Sequence, residues 1–112
     1  MSQTPDDFRN GPKIRFVQKV FDYDTITRDS DGVCRFEFEN IGDEPLWVTS
    51  AFSTCGCTVP TWPKKPIMPG TKSFIEVKYN TSILGDFTKI IVVKTNSPDK
   101  KTILKIKGYV KN

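Results

Sequence analysis

The stretch Val33-Cys-Arg-Phe-Glu-Phe-Glu-Asn40 alternates apolar and charged side chains over a full strand length. At a side-chain period of two, Cys34, Phe36 and Phe38 share one face while Arg35, Glu37 and Glu39 share the other, as in a half-buried β-strand. Upstream, Lys13-Ile-Arg-Phe-Val17 puts Ile14 and Phe16 on one side, and Val20-Phe-Asp-Tyr-Asp24 continues as a second short edge piece. Together they predict a first strand with a break. Asp29-Ser-Asp-Gly32 is a turn cluster between these pieces and the alternating strand.

Downstream, Asn40-Ile-Gly-Asp-Glu-Pro45 is a loop in which Gly42 can supply a positive φ, and Leu46-Trp-Val-Thr-Ser-Ala-Phe52 is predicted to return antiparallel as a hairpin. That strand feeds Ser53-Thr-Cys-Gly-Cys-Thr-Val-Pro60. The stretch Thr61–Gly70, with Pro60 before it, holds four of the eight prolines and is expected to cross from one sheet to another. Pro69-Gly70 fits the centre of a type II turn, because proline pre-sets φ and glycine accepts the positive φ that follows. Ser73 to Tyr79 alternates with Ile75, Val77 and Tyr79 inward, and Phe87 to Asn96 is a long strand whose Ile90-Ile-Val-Val93 run predicts burial near a sheet centre. The last strand, Thr102 to Val110, puts Leu104, Ile106, Gly108 and Val110 on one face. No stretch sustains a helical period. About seven antiparallel strands at turn spacings of roughly 8–12 residues predict an all-β, Ig-like β-sandwich.

The chain of 112 residues has room for one domain, placed at 13–112, with residues 1–12 as a polar N-terminal arm broken by Pro5, Gly11 and Pro12. Those twelve residues contain no apolar segment of a secretory signal, and no apolar run approaches the ~20 residues of a helical membrane span. Cytoplasmic synthesis is therefore expected, with the periplasm or cell envelope as the setting if a leader has been removed. Net charge is +4, but it is divided unevenly. Through Pro60 the chain is net −4 and from Thr61 onward it is net +8, which predicts mutual pairing across strands or a basic face for an acidic partner.

Histidine is absent, and with it the side chain most used for proton transfer near neutral pH, for zinc sites and for Ser-His or Cys-His nucleophile pairs. An enzyme is not expected. The three cysteines are odd in number, so at least one is free or paired with another chain.

At this point the residues resemble a known family. Phe36-Glu-Phe-Glu-Asn-Ile-Gly-Asp-Glu-Pro-Leu46, Ser53-Thr-Cys-Gly-Cys-Thr-Val-Pro60, Pro66-Ile-Met-Pro-Gly70, Gly85-Asp-Phe-Thr-Lys89 and Ile106-Lys-Gly-Tyr-Val110 follow one another as in the bacterial domain of unknown function fifteen seventy-three, a relative of Hydin-type Ig-like domains. The resemblance covers Ile14 to Val110 and implies an Ig-like fold without naming an activity. It also implies export for many members, behind a leader that is not found here. The chain departs from the family at Asp24, where a glycine is usual. Small Ig-like domains made without a leader also occur as accessory proteins on the capsids of tailed phages.

Cys55 and Cys57 are the sharpest candidates for chemistry, with Gly56 between them allowing a tight bend. An extended pair could grip a soft metal or form a redox disulfide. Too few further ligands exist for a closed metal site, and a Cys-x-Cys ring is small, so the expected role is as small apolar residues at a strand end. Cys34 belongs to the inward face. Trp47 and Trp62 could form an aromatic platform or cover a sandwich edge. Lys64 and Lys65 join a lysine-rich second half that could track phosphates, but without aromatic interleaving a solvated face is the simpler reading and nucleic acid is a disfavoured partner. Asp22, Asp24, Asp29 and Asp31 depart from the spacing of a calcium loop and read as turn residues.

These readings converge on a non-catalytic Ig-like structural or interaction module, an accessory component of a larger assembly such as a phage capsid or the bacterial cell envelope. Its expected partners are proteins, with no catalytic residue, cofactor, metal or small-molecule substrate. The alternative is a thiol redox or soft-metal-handling protein acting through Cys55 and Cys57.

Overall fold

The computed structural model describes residues 11–112. Apart from Gly11 and Pro12, the predicted N-terminal arm lies outside the described residues. Eight strands follow in order: β1 Ile14–Phe16, β2 Val20–Thr27, β3 Val33–Asn40, β4 Val48–Ser53, β5 Thr58–Thr61, β6 Lys72–Tyr79, β7 Gly85–Thr95 and β8 Lys101–Lys111. They form two four-stranded sheets, β1-β3-β6-β5 and β2-β8-β7-β4. The expected all-β, Ig-like sandwich is what the chain forms, with eight strands where about seven were counted.

The inward parities agree with the sequence pattern. Phe36, Phe38, Ile75 and Val77 of the first sheet meet Ile91, Val93, Leu104 and Ile106 of the second in one buried cluster. Burial of each such side chain stabilises the fold by about 1.5–3 kcal/mol before entropy is counted. Asn40 continues the parity of Cys34, Phe36 and Phe38 into the core and is completely buried. Its amide Nδ2 donates to the carbonyls of Glu44 and Ile67, both at 2.8 Å, and its Oδ1 accepts from the N–H of Gly42 at 2.9 Å and of Lys13 at 3.3 Å. A buried amide satisfied on both ends ties the segments around it into one arrangement.

Four expectations about connections are corrected. The first strand is not one strand with a break: Val17 N–H still donates to Glu37 of the first sheet, whereas the carbonyl of Lys19 already accepts from Lys105 of the second. The chain thus changes sheets across Gln18, and β2 pairs with β8 in parallel rather than antiparallel. Leu46–Phe52 does not close a hairpin on Val33–Asn40, because β4 pairs with β7 in the other sheet. The proline-rich stretch does not change sheets; it joins β5 to β6, which are antiparallel neighbours, and the crossing falls instead at the cysteines between β4 and β5. Lastly, the Ile90–Val93 run is buried on one face only, since Ile90 is exposed.

Local chemistry explains several turns. Gly70 has φ +80°, and Thr71 N–H donates to the carbonyl of Met68 at 3.0 Å, closing the expected Pro69-Gly70 turn. Gly42 does not use a positive φ; a Cβ there would run into the carbonyl of Gly11 and the backbone nitrogen of Lys13. Asp24 sits at φ +61° in a register shift between Asp22 and Thr25, its N–H held by the Asp22 carboxylate at 2.8 Å. This left-handed bulge accounts for the glycine that the resemblance implies at position 24, because aspartate is one of the few other residues that tolerate it.

Candidate functional site

The outer face of the sheet β2-β8-β7-β4 is assembled by register. Phe52, Val92 and Ile103 lie directly opposite one another across β4, β7 and β8, and one step along the strands Ile90, Lys105 and Val20 do the same across β7, β8 and β2. Because their chain neighbours Ala51, Ile91, Val93 and Leu104 point into the core, these side chains must point out. Val20, Phe52, Ile90 and Ile103 are each 40–45% exposed, a contiguous apolar group that the domain leaves uncovered.

Lysines rim that group at one end. Lys94 pairs in register with Lys101, and Lys94 Nζ lies 5.6 Å from the Phe52 ring centroid. With Lys100 and the turn Asn96-Ser-Pro-Asp99 they line an open cleft of about 800 Å³. At the opposite end of the strands Asp22, Asp24 and Asp86 gather around Lys107 and Tyr109 in a smaller cleft of about 370 Å³. Charge on this face therefore runs from basic to acidic along the strands.

The outer face of the other sheet is different in kind. Arg35 reaches Glu76 at 3.1 Å and covers the Phe74 ring at 4.8 Å, while Arg15 reaches Glu39 at 3.2 Å. Every ion pair among the described residues is made by an arginine. The lysines of the second half of the chain are thus not neutralised by carboxylates of the first, contrary to the expected mutual pairing. Strand edges offer less than faces: β1 has three residues, β5 has four and contains Pro60, and β2 carries the Asp24 bulge. Short, proline-bearing or bulged edges resist pairing with another chain.

The cysteines sit at the corner where the chain passes from β4 to β5. Cys55 and Cys57 are joined by a disulfide, with Cα atoms 5.2 Å apart, within the range such a bond spans. This corrects the expectation that they behave as separate small apolar residues. The segment is a turn, not an extended strand end: Thr58 N–H donates to the carbonyl of Cys55 at 3.1 Å, which draws the two sulfurs together. The carbonyl of Cys57 accepts from Asn80 N–H at 2.9 Å, anchoring the corner to the end of β6. Gly56 contributes no positive φ, and a Cβ on it would meet nothing within 4 Å. Both cysteines are half-buried. Cys34 is free and buried, and desolvation pushes its thiol pKa up, which suits a core residue rather than a nucleophile.

The remaining candidates are dispersed. Trp47 is exposed where the chain enters the second sheet, its backbone N–H donating to Asn96 Oδ1 at 2.8 Å. Trp62 packs partly against the core beyond β5, with Lys64 Nζ 3.2 Å from its ring centroid, and Lys65 is exposed in the same loop. No ring contact joins the two tryptophans among the described residues, so an aromatic platform shared by them does not form. Asp22 and Asp31 spend their carboxylates on turn N–H groups, those of Asp24 and Val33. Among the described residues no cluster of three His, Cys, Asp or Glu is placed to hold a metal, and no helix is long and apolar enough to cross a membrane. Sequence reasoning missed Phe52, Ile90 and Ile103 as a group. Ile90 was expected to be buried with the run that follows it, and only register shows that it adjoins Phe52 and Ile103 on the outer face.

Eight strands in two four-stranded sheets, with the chain crossing between them at five of its seven connections, Gln18 and the cysteine corner among them, make this an Ig-like β-sandwich domain. The chain belongs to the family described as Protein of unknown function (DUF1573), whose model matches residues 14–110. Among solved structures it is similar to a protein of unknown function from Porphyromonas gingivalis W83, at 14% identity and TM-score 0.80 over 90% of this chain and 48% of that one. The chain spans about half the length of that protein. It is also similar to PapD-like domain 7 of human CEP192, at 11% identity and TM-score 0.73 over 99% of this chain and 91% of that one. A third likeness is to the CsuC-CsuE chaperone-tip adhesion subunit pre-assembly complex of Acinetobacter baumannii, at 12% identity and TM-score 0.59 over 88% of this chain and 57% of that one. No curated protein matches the chain significantly.

Proposed function

We propose that the chain is a non-catalytic Ig-like module that binds a protein partner through the outer face of the β2-β8-β7-β4 sheet. The observation that carries this reading is the uncovered apolar group of Phe52, Ile90, Ile103 and Val20, set on the four paired strands of one sheet rather than on loops. The absence of histidine from the sequence supports a binding role over catalysis near neutral pH. The similar Acinetobacter complex contains a chaperone and an adhesion subunit, so a fold of this shape can serve protein assembly. An accessory place in a virion or in the cell envelope is the setting to which this reading extends.

A photo-crosslinking residue placed at position 103 or, on the other sheet, at position 74 tests the reading in the producing cell. A protein adduct from position 103 and none from position 74 is expected. Adducts from position 74 alone, or from neither, would overturn it.

One observation favours a second reading, thiol–disulfide exchange: Cys55 and Cys57 are already bonded to each other at a half-exposed corner. A dithiol would attack one sulfur and leave as a disulfide, its two electrons reducing the Cys55–Cys57 bond to two thiols. Replacing both cysteines with serine abolishes any such exchange with a small dithiol, whereas the interaction reading expects partner crosslinking at position 103 to survive it.

A further inference from the structure

The same face carries information about what it binds. Lys94, Lys101 and Lys105 border the Phe52–Val92–Ile103 row in register, and no carboxylate lies within 4.0 Å of any of them among the described residues. Like charges held side by side on one rigid sheet repel, so the arrangement costs the free domain stability that an incoming negative charge would return. On the opposite sheet the chain neutralises its charged face from within, through Arg35–Glu76 and Arg15–Glu39. That contrast shows that local pairing is within reach of this fold and is missing where the apolar row is exposed.

We infer that the partner of this face is a protein segment or surface in which acidic side chains flank an apolar anchor. The inference rests on the binding role proposed above and adds the chemistry of the ligand. The anchor sits on Phe52, Val92 and Ile103, and the carboxylates face Lys94, Lys101 and Lys105. A phosphate backbone would satisfy the lysines but leave the apolar row uncovered, and the row offers a single aromatic ring for base stacking. A purely apolar partner would cover the row and strand the lysines. A second copy of the chain fits poorly, since a two-fold axis along the Phe52–Val92–Ile103 row, which would cover that row with its own copy, would set Lys101 against Lys105.

The test is selection from a random peptide display library against the whole chain, with binders mapped by amide chemical shifts. Binders that perturb Phe52, Val92 and Ile103 and are enriched in Asp and Glu around an apolar residue are expected. Their Kd should weaken roughly tenfold or more in Lys101→Glu/Lys105→Glu, and fall steeply in affinity as salt shortens the Debye length to ~3 Å at 1 M. Binders at this face without acidic enrichment, or with unchanged affinity after charge reversal, overturn the acidic partner while leaving the binding role intact. Binders that map only to the other sheet, or none at all, overturn both. Self-association that buries Ile103, seen as a concentration-dependent mass in light scattering, assigns the face to a second copy and overturns the inference.

Discussion

Tyr79 of the β1-β3-β6-β5 sheet lies parallel to Phe87 of the other, ring centroids 3.9 Å apart and planes inclined by only 12°. Tyr23 also meets Phe87, ring centroids 5.5 Å apart and planes inclined by 59°, so the Phe87 ring contacts aromatic groups from both β6 and β2. A ring stack thus joins the two sheets at this end, within the same buried cluster as Val77 and Val110. Replacing Phe87 with alanine should cost about 3–5 kcal/mol, the cavity and the lost transfer energy together. Replacing it with leucine should cost only about 0.5–1.5 kcal/mol, because apolar volume is kept and the stack alone is lost. Urea denaturation of the two variants separates the cases, and a Phe87→Leu variant as stable as the parent would show that the stack contributes nothing of its own.

Asn40 is the polar counterpart of that stack. Alanine at this position leaves the carbonyls of Glu44 and Ile67 and the N–H of Gly42 without their side-chain partner in a buried place. The expected loss is about 3 kcal/mol, since each unsatisfied buried group costs roughly 1–3 kcal/mol and some gain water on relaxation. Asn40→Asp should do no better, because a carboxylate would face two carbonyl oxygens. Chemical denaturation within 1 kcal/mol of the parent chain for either variant would remove Asn40 as the organiser of the β3–β4 crossing.

These two positions show where sequence was legible and where it was not. Alternation located Phe36, Phe38, Ile75, Val77, Leu104 and Ile106 in the core, because a period of two leaves each residue one choice of face. The same parity reaches Asn40, which looked like a loop residue because its polarity outweighed its position. Sheet membership was not legible. A chain that continues in one sheet and one that steps to the other through Gln18 can carry identical alternation, and only the hydrogen bonds of Val17 and Lys19 tell them apart. The exposed row of Phe52, Val92 and Ile103 was hidden for the same reason, since its members are 40 and 11 residues apart along the chain and meet only through β7. The disulfide was weighed and set aside because a Cys-x-Cys ring is small, whereas the turn closed between Cys55 and Thr58 brings the two sulfurs together.

Two glycines predict opposite outcomes. Gly108 faces the second sheet's inner side, where an added Cβ would stand 2.9 Å from Tyr23 Cβ and 3.0 Å from Phe87 Cζ. Gly108→Ala should therefore destabilise by about 1–3 kcal/mol through overpacking of the aromatic stack. Gly56→Ala should lie within about 0.5 kcal/mol of the parent, because position 56 has open space and no positive φ. Thermal melts of both variants check this. A large loss at Gly56 would mean that the cysteine corner needs glycine for a reason its backbone does not show.

Stability should also fall at alkaline pH, and the groups responsible can be named. Burial raises the pKa of Tyr23, with contributions from the Cys34 thiol beside it and the Asp31 charge, and burial likewise raises Cys34 and Tyr79. For each the neutral form is favoured in the fold, so the unfolded chain gives up its proton first. Stability is then fully present below the ordinary values of 9.0 for the thiol and 10.0 for the phenols, and declines as pH rises through and beyond them. Tyr23 donates its hydroxyl to the carbonyl of Gly32 at 2.6 Å, so Tyr23→Phe should cost about 1 kcal/mol at neutral pH. Above pH 10 the variant lacks one ionisable group in the unfolded state, and its stability curve should approach that of the parent. Denaturant titrations from neutral pH upward would measure both curves; if they stay parallel throughout, Tyr23 does not contribute to the alkaline limb.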